Sequence, residues 1–163
     1  MSLGWQVLMA ARARDEGADV KTILTLLEGL RAKLEQYVAL DSLNFLKRGG
    51  RIGNAIKWVG GMISMHPLVA INHHTGIVEP IAISRTHKGV VDLLYRKFFD
   101  HFKVGQKLHI AIMHGNALEQ VEEIARRVRA EFNPVELIIN ITGPVLGINT
   151  GPGALSLCGY AEE

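Results

Sequence analysis

Residues 135–160 read VELIINITGPVLGINTGPGALSLCGY, and this stretch decides the fold. Val135 to Ile141 is an apolar run of strand length, set off by Asn133-Pro134, which breaks the helical pattern before it. Leu155 to Tyr160 is a second such run. Between them, Gly143 to Gly153 reads as a glycine-rich loop, and four glycines and two prolines fall within residues 143–154. Proline limits a loop's freedom, while glycine allows backbone angles closed to other residues.

Upstream, residues 116–131 carry Leu118, Val121, Ile124, Ala125 and Val128 at helical spacing. Leu108 to Met113 reads as a strand, and residues 87–102 as a helix with Val90, Val91, Leu94 and Phe98 on one side. Met65 to Asn72 and Ile77 to Ser84 read as strands joined by the hairpin-like His73-His74-Thr75-Gly76. Pro80 suits an edge strand, because it donates no ladder hydrogen bond. Residues 53–63 read as an amphipathic helix. Before them, Tyr37 to Leu40 reads as a buried strand, and Asp41 or Ser42 caps a short helix ending at Gly49-Gly50. The fold class is therefore α/β, a mixed sheet packed with helices. Residues 4–16 and 20–36 form a helical pair split by Gly17, with Asp19 as an N-cap. The expected division is residues 1–36 as a helical remnant of a missing domain and 37–163 as an α/β domain. The chain reads as a piece of a longer protein, with Met1 and Ser2 added at its start.

A length of 163 residues with 48% hydrophobic content suffices for one ordinary core. A net charge of +2 and scattered basic residues do not mark a nucleic-acid binder. Arg126, Arg127 and Arg129 read as a solvated helix face. Cys158 is the single cysteine, so no intrachain disulfide forms, and a cytoplasmic location is expected. It reads as a buried, inert thiol. No apolar run is long enough to span a membrane, and no signal-peptide pattern opens the chain.

Two segments can carry function. In Leu46 to Asn54, paired Gly49 and Gly50 allow a sharp turn, and Arg51 follows. A guanidinium grips a carboxylate or phosphate with parallel hydrogen bonds, although from spacing alone a helix C-cap followed by a surface arginine is the leading reading. The second segment is the loop at 143–153, which could aim N–H groups at an anion or serve as a rigid connection. It is no P-loop, since no Gly-Lys-Ser or Gly-Lys-Thr follows, and no dinucleotide fingerprint, since no helix clearly follows. The seven histidines show no zinc-type spacing, so no metal site is expected. His66 reads as a packed or hydrogen-bonded core residue. No Gly-x-Ser-x-Gly elbow supports a serine nucleophile.

Taken together, these segments resemble the DegV family from roughly the first residue to the last. Leu3 to Ala11 is similar to the family's Leu-Gly-x-x-Val-x-x-Ala-Ala stretch. Leu43 to Ile52 matches Leu-x-x-Leu-x-x-Gly-Gly-Arg-Ile, and Pro67 to Ile71 matches Pro-Leu-x-x-Ile. Gly143 to Gly147 and Gly151 to Leu155 match Gly-Pro-Val-x-Gly and Gly-Pro-Gly-Ala-Leu. The resemblance implies two α/β domains with a long-chain fatty acid between them, its tail in a tunnel of the carboxyl-terminal domain. It implies no cofactor and no catalysis by this chain; some members present the fatty acid to a separate fatty acid kinase. Carried over, Arg51, Asn149, Thr150 and Gly151 would surround the carboxylate, the remaining hydroxyl ligands lying in the missing domain. The family usually has histidine where Asn149 stands and often threonine at Ile148. Candidate tail-lining residues are Ile56, Val59, Ile63, Leu68, Ile81, Ile83, Ile110 and Ile112, although ordinary core packing is the leading reading of each, since sequence does not tell a tunnel from a core. The apolar face left by the missing domain is expected to pair two copies of the chain. The alternatives are a phosphate-using transferase and a regulatory or interaction domain that has lost the ligand.

Overall fold

Strand alternation sets the architecture, and it does so differently on the two faces of one sheet. The structure, a computed structural model, describes residues 1–58 and 65–162. In chain order it contains α1 (Ser2–Asp15), α2 (Val20–Lys33), β1 (Glu35–Ala39), α3 (Asn44–Arg48), a 3-10 helix (Gly53–Trp58), β2 (His66–Ile71) and β3 (Val78–Ser84). There follow α4 (His87–Phe99), β4 (Leu108–His114), α5 (Leu118–Phe132), β5 (Glu136–Ile141), α6 (Pro144–Thr150) and β6 (Leu155–Ala161). The strands form a six-stranded sheet in the order β3-β2-β1-β6-β4-β5. The β4–β5 pair is parallel and the others are antiparallel, so the sheet is mixed.

Pro80 does lie on an edge strand, β3. Leu68 pairs with Ala82 and Val69 with Pro80, a register shift that leaves Ile81 as the extra residue. Helix starts follow from capping: Asp19 accepts from Thr22 N at 2.8 Å, and Thr86 Oγ1 from Gly89 N at 3.1 Å.

On one face, α4 and α5 cover the sheet. Leu68, Leu108, Ile110, Ile112, Leu155 and Leu157 meet Val90, Leu94, Phe98, Val121 and Val128, all fully buried. Each such side chain contributes about 1.5–3 kcal/mol through burial. The opposite face carries two smaller clusters. The helical pair α1–α2 packs on one, where Trp5, Leu30 and Leu34 meet Ala111, Cys158 and Tyr160. Trp5 stands edge-on to the rings of His109 and Tyr160, at 5.8 and 5.6 Å. His109 stacks on Tyr160 at 4.7 Å and places its two nitrogens 3.0 Å from Glu136 and 2.8 Å from Glu162. Arg12 grips Glu136 with two hydrogen bonds of 3.0 Å, tying α1 to β5. The second cluster gathers Val38, Leu40, Leu46, Ile52, Ala55, Val69 and Ala154 under α3 and the 3-10 helix.

Two expectations change. The loop read over 143–153 contains a helix, α6, with Pro144 at its first turn and Gly151 closing it. Proline at the start and glycine past the end is the ordinary sequence mark of a short helix, and the density of glycine hid it. The helix read over 53–63 is a 3-10 helix at Gly53–Trp58, and its remainder lies outside the described residues. No helix among the described residues is long and apolar enough to cross a membrane.

Candidate functional site

The two glycine segments, nearly a hundred positions apart in the chain, meet in space. Gly49 follows α3 and faces Asn149 on α6 so closely that an added Cβ would sit 1.9 Å from Asn149 Oδ1. Gly151, at φ +77°, lies against the Phe45 ring, where a Cβ would come within 2.4 Å. At these two positions a larger residue would displace the side chain of Asn149 or Phe45, and Gly151 also holds a positive φ that favours glycine. The Asn149 amide donates to Val145 O at 2.9 Å, and Thr150 Oγ1 donates to Leu146 O at 3.2 Å. Arg51, exposed at the turn after α3, donates from Nη1 to Gly49 O at 2.9 Å.

Behind this junction lies a mainly apolar cavity of about 250 Å³. Its floor is the sheet face away from α4 and α5: Gln36, Val38 and Leu40 of β1 and its end, Val69 and Ile71 of β2, and Met113 of β4. Val78, Leu46 and Leu146 add apolar walls, while Arg51, Asn149 and Thr150 supply polar ones. A volume just under the roughly 300–1,000 Å³ of common small-ligand clefts suits a slender ligand. Ser156 also lines it, and its buried Oγ has no hydrogen-bond partner among the described residues. Beside it in β6 is Cys158, 3.4 Å from Ser2 Oγ, whose thiol burial pushes up to about 11.

The structure thus brings Arg51, Asn149 and Thr150 to one cavity, with Gly151 buried next to them. It places Leu68, Ile110 and Ile112 in the solid core beneath α4 and α5. Ile56, Ile81 and Ile83 are partly exposed and do not line the cavity. Val59 and Ile63 lie outside the described residues. The lining that sequence reasoning missed sits at the other parity of the same strands: Val69 next to Leu68, and Met113 next to Ile112. The available signal was Ser156 between Leu155 and Leu157, a small polar residue in an otherwise apolar strand.

Comparison with known proteins places this geometry in context. Residues 1–162 match the sequence profile of the family described as "Uncharacterised protein, DegV family". A DegV domain-containing protein of Clostridium acetobutylicum is 30% identical over 166 residues, covering all of this chain and 56% of the relative. One from Halalkalibacterium halodurans is 28% identical over 96% of this chain and 55% of its own length. The chain therefore spans just over half the length of the curated relatives it matches. Among solved structures, the fatty-acid-binding DegV-family protein of Thermus thermophilus superposes with a TM-score of 0.89 at 26% identity. That match covers 99% of this chain and 57% of that one. The fatty-acid-binding DegV of Bacillus subtilis gives 0.86 at 25% identity, over 99% and 57%. With a profile match over nearly its whole length and these superpositions, the chain belongs to the DegV family.

Proposed function

We propose that this chain binds a long-chain fatty acid, with the acyl tail in the cavity under α3 and α6 and the carboxylate at its rim beside Arg51, Asn149, Thr150 and Gly151. The observation that carries this reading is a mainly apolar cavity whose guanidinium, Arg51, is exposed at the rim while Val38, Leu40, Val69 and Met113 of its floor are buried. Fatty-acid binding by the relatives from Thermus thermophilus and Bacillus subtilis supports it. The energetics agree. A tail of about sixteen carbons gains roughly 12 kcal/mol gross at about 0.8 kcal/mol per buried methylene, part of which association consumes. A carboxylate brought to the same place needs charge-assisted partners, and a guanidinium supplies two parallel N–H groups. Asn149 donates but carries no charge, so Arg51 supplies the positive charge at the rim.

In this reading the protein is a carrier with no chemistry of its own. A separate cytoplasmic fatty acid kinase phosphorylates the bound acid. The helices α1 and α2 belong with an amino-terminal domain that completes the head-group site, and the lipid-binding domain runs from the start of β1, at Glu35, onward. Without that domain, exposed Val145, Ile148 and Ile141 favour pairing of two copies.

The test is mass spectrometry of organic extracts from natively purified protein, the full-length parent beside this chain. Retained acyl chain at near-stoichiometric amount is expected in the parent. An empty parent that also refuses added fatty acid overturns the reading.

A further inference from the structure

We propose that Asp41, His66 and His87 form a binding site for a divalent transition-metal ion of the zinc class. The residues come from three places: the end of β1, the start of β2 and the first turn of α4. His87 Nδ1 lies 2.8 Å from Asp41 Oδ1, and His66 Nδ1 lies 3.2 Å from the same oxygen. The two imidazoles meet edge to face at 5.6 Å. One potential ligand atom from each residue falls within 4.8 Å of the other two. With bonds of about 2.0–2.2 Å, ligand atoms in a tetrahedral zinc shell stand roughly 3.3 Å apart, so a small adjustment closes these three around one ion.

The hydrogen-bonding pattern calls for a cation. His87 Nε2 lies 3.1 Å from Gln120 Oε1, and with the amide in that orientation Nε2 is the donor. In that tautomer Nδ1 turns a lone pair toward Asp41 Oδ1, the arrangement a metal ion between them would use. His66 Nδ1 is buried and makes no hydrogen bond. Both imidazole Nδ1 atoms thus converge on one carboxylate oxygen, Asp41 Oδ1. A metal ion takes a lone pair from all three.

The surroundings fit that role. A ligating histidine ordinarily gives its second N–H to an outer carbonyl or carboxylate, as His87 does to Gln120. An open cleft of about 600 Å³, lined by Asp41, His87, Gln120 and Gly153, adjoins the cluster and leaves room for a fourth ligand and for entry of the ion. Asp41 Oδ2 faces Gly153, where a Cβ would come within 2.2 Å, so the turn that follows α6 backs the carboxylate whose Oδ1 faces the two imidazoles. Spacing along the chain could not reveal the cluster, because its members are separated by at least twenty residues. The proposal does not depend on fatty-acid binding.

The experiment uses the untagged chain, stripped with a chelator and titrated with Zn²⁺ in a calorimeter and with Co²⁺ by visible absorption. One ion per chain is expected. His66→Ala and His87→Ala should each weaken binding about 100-fold, and Gln120→Ala about tenfold. His74→Ala, an exposed hairpin residue, should change nothing. Circular dichroism reports whether each variant folds. If a ligand variant does not, imidazole nitrogen NMR of the unaltered protein decides, since the His66 and His87 Nδ1 signals should shift on zinc addition. No uptake at about 1 mM Zn²⁺ overturns the proposal and leaves a proton as the cation. Binding that survives both ligand variants, or that is lost with His74→Ala, overturns it equally.

Discussion

The two faces of the sheet use the same strands to opposite ends. Toward α4 and α5, Leu108, Ile110 and Ile112 of β4 and Leu155 and Leu157 of β6 are large aliphatics with no solvent exposure, and the helices fill the remaining space with rings such as Phe98. Toward α3 and α6, the intervening positions are Ser156, Met113, Val38 and Val69, smaller or more adaptable, and space remains. One face holds the fold, while the other trades packing for a cavity. Close packing cannot be given up on both sides of so small a domain, because net stability is only about 5–15 kcal/mol.

The contrast can be broken by substitution. Phe98→Ala should cost about 3–5 kcal/mol in chemical denaturation, since it opens a void in a packed face. Met113→Ala, beside existing space, should cost less than half as much. Equal losses would mean that the second face is packed as tightly as the first. Next comes a pH effect on the cavity side. The folded Cys158 thiol is pushed up to about 11, above its unfolded value near 9, so the native state holds more protons between those values. Stability should then fall as pH rises through that range, by about 1.4 kcal/mol per pH unit from this group. Cys158→Ala should flatten that part of the profile, and an unchanged profile would show that the thiol is solvated.

Arg51→Ala should weaken fatty-acid binding by about 1.5–3 kcal/mol, roughly ten- to 150-fold, and leave the methyl ester unaffected. Equal loss for acid and ester would remove the guanidinium from the head-group role. The smallest effect on stability, within about 1 kcal/mol, is expected from Ser156→Leu. The new side chain enters existing space and removes a buried hydroxyl that lacks a partner. The same substitution should block acyl binding; retained binding would move the tail elsewhere.

The fold was legible where periodicity was strong. Strand alternation in residues 66–84, the helical spacing of residues 118–132 and the edge position of Pro80 all follow from local chemistry. α6 was obscured because glycine and proline mark both loops and the ends of short helices. Of the candidate site, Arg51 was legible from the paired glycines before it, while Asn149 and Thr150 came only from the family resemblance; the close approach at Gly49 and Gly151 is what brings the three together. The cavity lining was not. Leu68 and Val69 are equally apolar, and alternation shows only that they face opposite ways. Which side stays empty is decided by the helices that pack there, a long-range property.

The most direct measurement of which face holds the tail is isotope-filtered NMR of ¹³C-labelled palmitate bound to methyl-labelled protein. We expect nuclear Overhauser contacts from the acyl methylenes to the methyls of Val38, Val69 and Ile71. Contacts to Ile110, Ile112 and Leu157 instead would place the tail on the opposite face and contradict the assignment.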